Sequence, residues 1–91
     1  MQMQVRTGDY VDLEYPATDD VIIDGSHPTY LYVEGDMEEI SEDDFSVTIG
    51  SQVIANSGEA GVCLRYRLST IGQLAVNYRG SVIWAFLVDE P

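Results

Sequence analysis

The 91-residue chain contains no lysine, and its four arginines are outnumbered by 16 aspartates and glutamates, which gives a formal net charge of −12. A charge of that sign repels nucleic-acid phosphates and anionic lipid, so direct binding to nucleic acid or to a membrane is not expected. Schiff-base chemistry is excluded because there is no lysine. We therefore expect a protein partner or self-association, either as a homo-oligomer or as part of a multi-subunit particle.

Cysteine and histidine occur once each. The single Cys63 excludes an internal disulfide and a cysteine-based zinc site, and its position between Val62 and Leu64 is typical of a strand residue. His27 lies in a Gly-Ser-His-Pro turn, and the chain has no Gly-x-Ser-x-Gly elbow. It also lacks the motif of a phosphate-binding loop and the dinucleotide fingerprint. The sequence therefore predicts a protein that is not an enzyme.

Long apolar runs are missing as well. No stretch reaches the about 18 apolar residues of a membrane-spanning helix, and no basic-then-apolar leader opens the chain. We expect cytoplasmic synthesis without a signal peptide, with the virion as a further location. The apolar content of 45% is too high for a disordered acidic tail, and the length fits one all-β domain, residues 1–91.

Helical periodicity over three turns is absent, whereas apolar and polar residues alternate in many short segments. Turn residues separate these segments, which is the pattern of an antiparallel β-sandwich or small barrel of about 7–8 short strands. At most one short helical turn is expected, near residues 36–44. There Asp36 with Glu39, or Ser41 with Asp44, has the spacing of a capping box. The predicted fold class is all-β.

The acidic residues are concentrated between residues 34 and 44, where seven of 11 residues are acidic. They would either form a solvated surface or attract a basic partner. No cofactor is predicted, but hard carboxylate oxygens on loops make calcium the one alternative. Two sets of residues could supply them, although neither has the spacing of an EF-hand. These sets are Asp19, Asp20 and Asp24, and Glu34, Asp36, Glu38 and Glu39.

The last predicted strand, residues 82–88, does not alternate. Its two faces would consist of Val82, Trp84, Phe86 and Val88 on one side and Ile83, Ala85 and Leu87 on the other. A strand of an antiparallel sandwich normally has one face in water. Either the chain's own loops or its first strand cover the second apolar face, or that face contacts another protein.

These observations favour a non-enzymatic structural protein, a small β-sandwich subunit of a larger assembly such as a viral capsid decoration (cement) protein or another virion protein. Its contacts would be apolar, aromatic and basic, with the arginines pairing with the acidic segment within or between copies. The predicted contact residues are Tyr30, Tyr32, Arg65, Arg67, Arg79, Ile83, Trp84, Phe86 and Leu87.

The alternative is an acidic inhibitor whose carboxylates mimic nucleic-acid phosphates and block a basic groove of a nuclease, glycosylase or CRISPR effector. Such binding would collapse as salt rises. The predicted decoy residues are Asp36, Glu38, Glu39, Glu42, Asp43 and Asp44. A sandwich that binds carbohydrate or peptide through Tyr30, Tyr32 or Trp84 ranks below both.

Overall fold

The computed structural model describes residues 1–36, 40–59 and 62–91. It is nearly all β, with 57% of the residues in strands and 3% helical, and two sheets pack against each other. The predicted fold class, a small all-β sandwich, is confirmed. The described residues form nine strands, slightly more than expected. None of their helical segments has the length and hydropathy needed to cross a membrane.

The first sheet, called sheet A, has four strands. They are β1 (Gln2–Thr7), β2 (Tyr10–Glu14), β4 (Thr29–Glu34) and β7 (Leu64–Leu68). Their spatial order is β2-β1-β4-β7, and all neighbours are antiparallel. The predicted β1–β2 hairpin turns at Gly8, whose φ of 59° is readily adopted by glycine.

The second sheet, sheet B, has five strands in the order β3-β9-β8-β5-β6. They are β3 (Val21–Ile22), β5 (Phe45–Ile49), β6 (Gln52–Ile54), β8 (Gly72–Tyr78) and β9 (Ser81–Asp89). Here the short β3 runs parallel to β9, while the other neighbours are antiparallel as predicted.

A short 3₁₀ helix covers Glu42–Asp44, inside the predicted range. Ser41 is its N-cap, because the side-chain oxygen of Ser41 accepts a hydrogen bond from the backbone N–H of Asp43 at 3.3 Å. The alternative capping box of Asp36 with Glu39 includes a residue outside the described part of the chain.

The core lies between the two sheets and is built from the inward positions of the alternating strands. Met3, Leu31, Leu74 and Phe86 are among its largest fully buried side chains. Burial of this apolar surface is the main force that stabilises the sandwich. The alternation read from the sequence therefore marks the side of each strand that packs inward.

The β8–β9 pairing contains a bulge that changes the faces of β9. Trp84 lies opposite Val76, but the next pair is Val82 with Asn77, so Ile83 is the extra residue. As a result Val82 is on the outer side of sheet B, 59% exposed, while Ile83 is half-buried and packs against the core. The expectation that Val82 shares a face with Trp84 is corrected.

Candidate functional site

Among the described residues, the outer face of sheet B carries no charged side chain until Asp89 at the end of β9, although 22% of the chain is charged. We call it the neutral face. Strand register and burial place ten residues on it: Ile22, Ser46, Thr48, Val53, Gln73, Ala75, Asn77, Val82, Ala85 and Leu87.

Four apolar side chains of the neutral face are open to solvent. Val53 is 69% exposed, Val82 59%, Ile22 52% and Leu87 37%. The small or uncharged polar residues between them add no charge that would have to be desolvated. The centres of protein interfaces show the same depletion of charge. The neutral face is therefore the part of the described surface that another protein can cover at the lowest electrostatic cost.

The outer face of sheet A has the opposite character and is called the arginine–tyrosine face. The guanidinium of Arg6 lies 3.8 Å from the ring centre of Tyr32, and that of Arg65 lies 4.8 Å from the ring centre of Tyr30. Arg67 is exposed on the same face, opposite Tyr30. These contacts are cation–π interactions along neighbouring strands.

Further contacts hold two of these arginines in place. Arg6 also forms an ion pair with Glu34 at 2.5 Å, and Arg65 donates to the backbone oxygen of Ser57 at 3.0 Å. Among the described residues, the Nε atoms of Arg6 and Arg65 are buried without hydrogen-bond partners. The hydrogen bonds of both side chains come from their Nη2 atoms. In contrast, Arg67 forms no ion pair or ring contact within the described residues.

The structure thus brings together Tyr30, Tyr32, Arg65 and Arg67 on one sheet face, as four of the nine predicted contact residues. Sequence reasoning missed Arg6 as a member of this group. Its outward position in an alternating strand was readable, but the pairing of β1 with β4 was not. One face of each tyrosine ring is covered by a guanidinium, which leaves less aromatic surface for a sugar to stack on.

The contact residues predicted on β9 separate into two groups. Trp84 and Phe86 are 3% and 2% exposed inside the sandwich, so they do not lie on a contact surface, and that expectation is corrected. The same burial removes Trp84 from a carbohydrate or peptide site. Leu87 lies on the neutral face, and no part of the described chain covers it fully. Ile83 lies at the bulge, half-buried.

Arg79 lies apart from the other arginines. It forms an ion pair with Asp44 at 3.5 Å and lies 5.0 Å from the ring centre of Tyr78. This is an intrachain pairing between a predicted contact arginine and the acidic segment. Both side chains are accessible enough for the pair to add little stability.

The acidic patch is only partly described, because Glu38 and Glu39 lie outside the described residues. Two of its other members have partners within the chain. Glu42 accepts a hydrogen bond from the Asn56 side-chain nitrogen at 2.7 Å, and Asp44 pairs with Arg79. These contacts use carboxylates that a nucleic-acid mimic would present to its target.

The first carboxylate set considered for calcium centres on Asp24, which closes a turn. Its Oδ1 accepts from the backbone N–H groups of Ser26 and His27 and from the Ser26 hydroxyl, at 2.9, 3.1 and 2.7 Å. The hydrogen bonds from Ser26, hydroxyl first, lower the pKa of Asp24. Within residues 1–36, 40–59 and 62–91, no three potential metal ligands lie together.

The groups considered for nucleophilic chemistry are separated. Cys63 is half-buried as a free thiol before β7, and His27 is exposed in the turn of Asp24. The Ser26 hydroxyl donates to Asp24 instead of to the imidazole. This arrangement stabilises a turn.

Tyr66 is a buried tyrosine beside the acidic segment. Burial raises the pKa of its hydroxyl to about 12, and the negative charge of Glu42 raises it in the same direction. The unfolded chain, with a tyrosine pKa of about 10, releases this proton first as the pH rises. The free energy of unfolding therefore contains a Tyr66 contribution that is complete below about pH 10 and is lost towards pH 12.

We expect Tyr66→Phe to reduce the loss of stability between about pH 9 and pH 11, because phenylalanine has no proton to release. Urea unfolding of wild type and variant at both pH values measures this slope. Tyr10→Phe, which removes a hydroxyl from a side chain that is 70% exposed, is the matched control. A Tyr66→Phe slope equal to that of wild type would contradict the assignment.

Fold and surface together define a small all-β sandwich with one uncharged outer face and one face of arginines and tyrosines. No model of a known protein family matches the chain, and neither a curated protein nor a solved structure matches it.

Proposed function

We propose that this protein is a non-enzymatic structural protein, a small β-sandwich subunit of a larger assembly such as a viral capsid decoration protein or another virion component. The neutral face is its docking surface. The observation that carries this proposal is the combination of four exposed apolar side chains with the absence of charge among the ten residues that define that face, in a chain of net charge −12.

The electrostatics of the chain support docking through the neutral face. Copies that each carry a charge of −12 repel one another, and contacts between acidic surfaces add to that repulsion. A contact through the neutral face buries apolar surface without bringing carboxylates together. Binding of a partner to the folded chain also stabilises the fold by mass action.

We expect Leu87→Glu to break the assembly, because the new carboxylate would lose its water in the centre of an uncharged contact. The mass is measured by light scattering at about 1 M salt, where the Debye length is about 3 Å. Long-range charge repulsion is then screened, so it cannot be the reason that the variant dissociates. The variant should have the mass of the 10.1 kDa monomer under conditions in which wild type forms a multiple of that mass.

Ile71→Glu is the matched control, since Ile71 is 53% exposed in the turn between β7 and β8, outside the neutral face. It should keep the wild-type mass, and thermal unfolding shows whether both variants fold. Equal masses for the two variants would contradict docking through the neutral face. A wild-type monomer that captures a basic protein only at low salt would favour the acidic inhibitor instead.

A further inference from the structure

A second candidate contact site is a cavity of about 300 Å³ beside the 3₁₀ helix, which we call the acidic cavity. Its lining combines carboxylates with apolar side chains and one buried phenol. The lining residues used here are Glu42, Asp43, Phe45, Val53, Ile54 and Tyr66. Such a lining suits a ligand that has an apolar stem and a cationic end.

Tyr66 supplies an observation independent of the two acids. Only 2% of this residue is exposed, it lines the cavity, and its hydroxyl has no hydrogen-bond partner among the described residues. The ring is buried but its oxygen is still reached from the cavity, so a polar group of a ligand that enters there can bond to it. The hydroxyl is neutral at pH 7 and can accept a hydrogen bond from an N–H donor.

The carboxylates set the charge of that ligand. Asp43 has no side-chain partner within residues 1–36, 40–59 and 62–91, and Glu42 uses only Oε2 for its bond from Asn56. Two carboxylates and a phenolic oxygen offer acceptors for the five N–H donors of a guanidinium. The apolar lining would cover the methylene stem of the same side chain.

The chain itself contains one arginine that fits this requirement. Arg6, Arg65 and Arg79 are held by the contacts described above, whereas Arg67 is exposed and has no ion pair with any residue that the structure describes. Arg67 does line a second cavity together with Asp24 and Glu90, but neither carboxylate is within ion-pair distance. In the described residues of one copy, the guanidinium of Arg67 is thus left to solvent.

We propose that the acidic cavity binds Arg67 of a second copy of this chain. Tyr66 and Arg67 are consecutive residues of the edge strand β7, so Tyr66 points into the sandwich and lines the cavity, while Arg67 points to the outer face of sheet A at the same edge. Two copies that meet at this edge can be related by two-fold symmetry, in which each copy contributes one arginine and receives one. This contact deepens the proposed function and rests on it, because it specifies a second contact between copies of the subunit, at the β7 edge of the sandwich.

A charge exchange tests this contact. Arg67→Glu and Asp43→Arg are each expected to weaken self-association at about 0.1 M salt by at least tenfold, measured by sedimentation equilibrium. Asp20→Arg makes the same charge change as Asp43→Arg outside the contact and should stay close to wild type. An equal mixture of Arg67→Glu and Asp43→Arg should associate again, because every cavity then meets a residue 67 of opposite charge.

Tyr66→Phe tests the same contact without changing the net charge of the protein at pH 7. It should weaken association several-fold while leaving the free energy of unfolding at pH 7 near the wild-type value, because the hydroxyl has no partner among the described residues of one copy. A mixture that associates no better than either variant alone overturns the inference, as does a wild-type monomer at about 1 mM. If Leu87→Glu dissociates the assembly but Arg67→Glu associates as tightly as wild type, only this contact fails and the proposed function stands.

Discussion

Trp84→Ala is expected to lower the free energy of unfolding by about 3–5 kcal/mol, a large part of the about 5–15 kcal/mol available to a domain. Trp84 is 3% exposed between the sheets. Its indole N–H donates to the backbone oxygen of Ala17 at 2.6 Å, and the ring of Tyr15 meets it edge-on at 5.5 Å between centroids. Alanine would leave a cavity and remove the hydrogen bond that holds the loop after β2.

Leu87→Ala is the matched control, because it truncates an apolar residue on the opposite face of the same strand. Leu87 is 37% exposed, so the loss should be about 1 kcal/mol or less. Urea unfolding of the two variants, compared with wild type at equal protein concentration, gives both values. Equal losses at a protein concentration at which wild type has the mass of the monomer would mean that β9 is covered on both faces within one copy, which would remove the basis of the neutral face.

Gly58→Ala is expected to cost about 2–3 kcal/mol, as an overpacked site does. A Cβ at Gly58 would collide with the backbone oxygen of Cys63 and lie 2.9 Å from the backbone nitrogen of Arg65. Both are backbone atoms, so relief requires the 56–58 segment to move away from β7. That movement would break the bonds in which the Asn56 side-chain oxygen accepts from Gly58 and Arg65, each at 2.9 Å.

Gly25→Ala makes the same chemical change in open space, since nothing lies within 4 Å of a Cβ at that position. Its effect should stay within about 0.5 kcal/mol. Chemical unfolding of both variants measures the difference. If Gly58→Ala were as stable as Gly25→Ala, the close approach of the 56–58 segment to β7 would be wrong.

The alternation of apolar and polar residues was sufficient to predict the fold class. In β7, for example, Leu64, Tyr66 and Leu68 are buried and alternate with the more exposed Arg65 and Arg67. Such a pattern depends on each strand alone, because successive side chains point to opposite faces. For this reason the strands and their inward sides could be read without knowing which strands pair.

Strand order depends on packing between distant segments and could not be read in this way. The parallel pairing of β3 with β9 and the bulge at Ile83 both arise from such packing. The bulge moved Val82 to the outer side, against the strict alternation assumed from the sequence. A single extra residue in one strand shifts every side chain beyond it to the other face.

The composition of the two outer faces also depends on which strands pair, so it could not be predicted from the sequence. Tyr30 and Tyr32 could be placed on one side of β4, but Arg6 joined them only through the β1–β4 pairing. Likewise, Thr48, Ala75 and Leu87 are individually unremarkable outward residues of three strands. Their adjacency in sheet B, and hence the neutral face, follows from the order β9-β8-β5.

Docking of copies of this protein on one another through the neutral face is the basis of the proposed function. The most direct test is the molar mass of the wild-type chain by light scattering at about 1 M salt, where contacts between charges are screened. We expect an assembly whose mass is a multiple of 10.1 kDa. A mass of 10.1 kDa under these conditions, with no increase as the protein concentration rises, would contradict it.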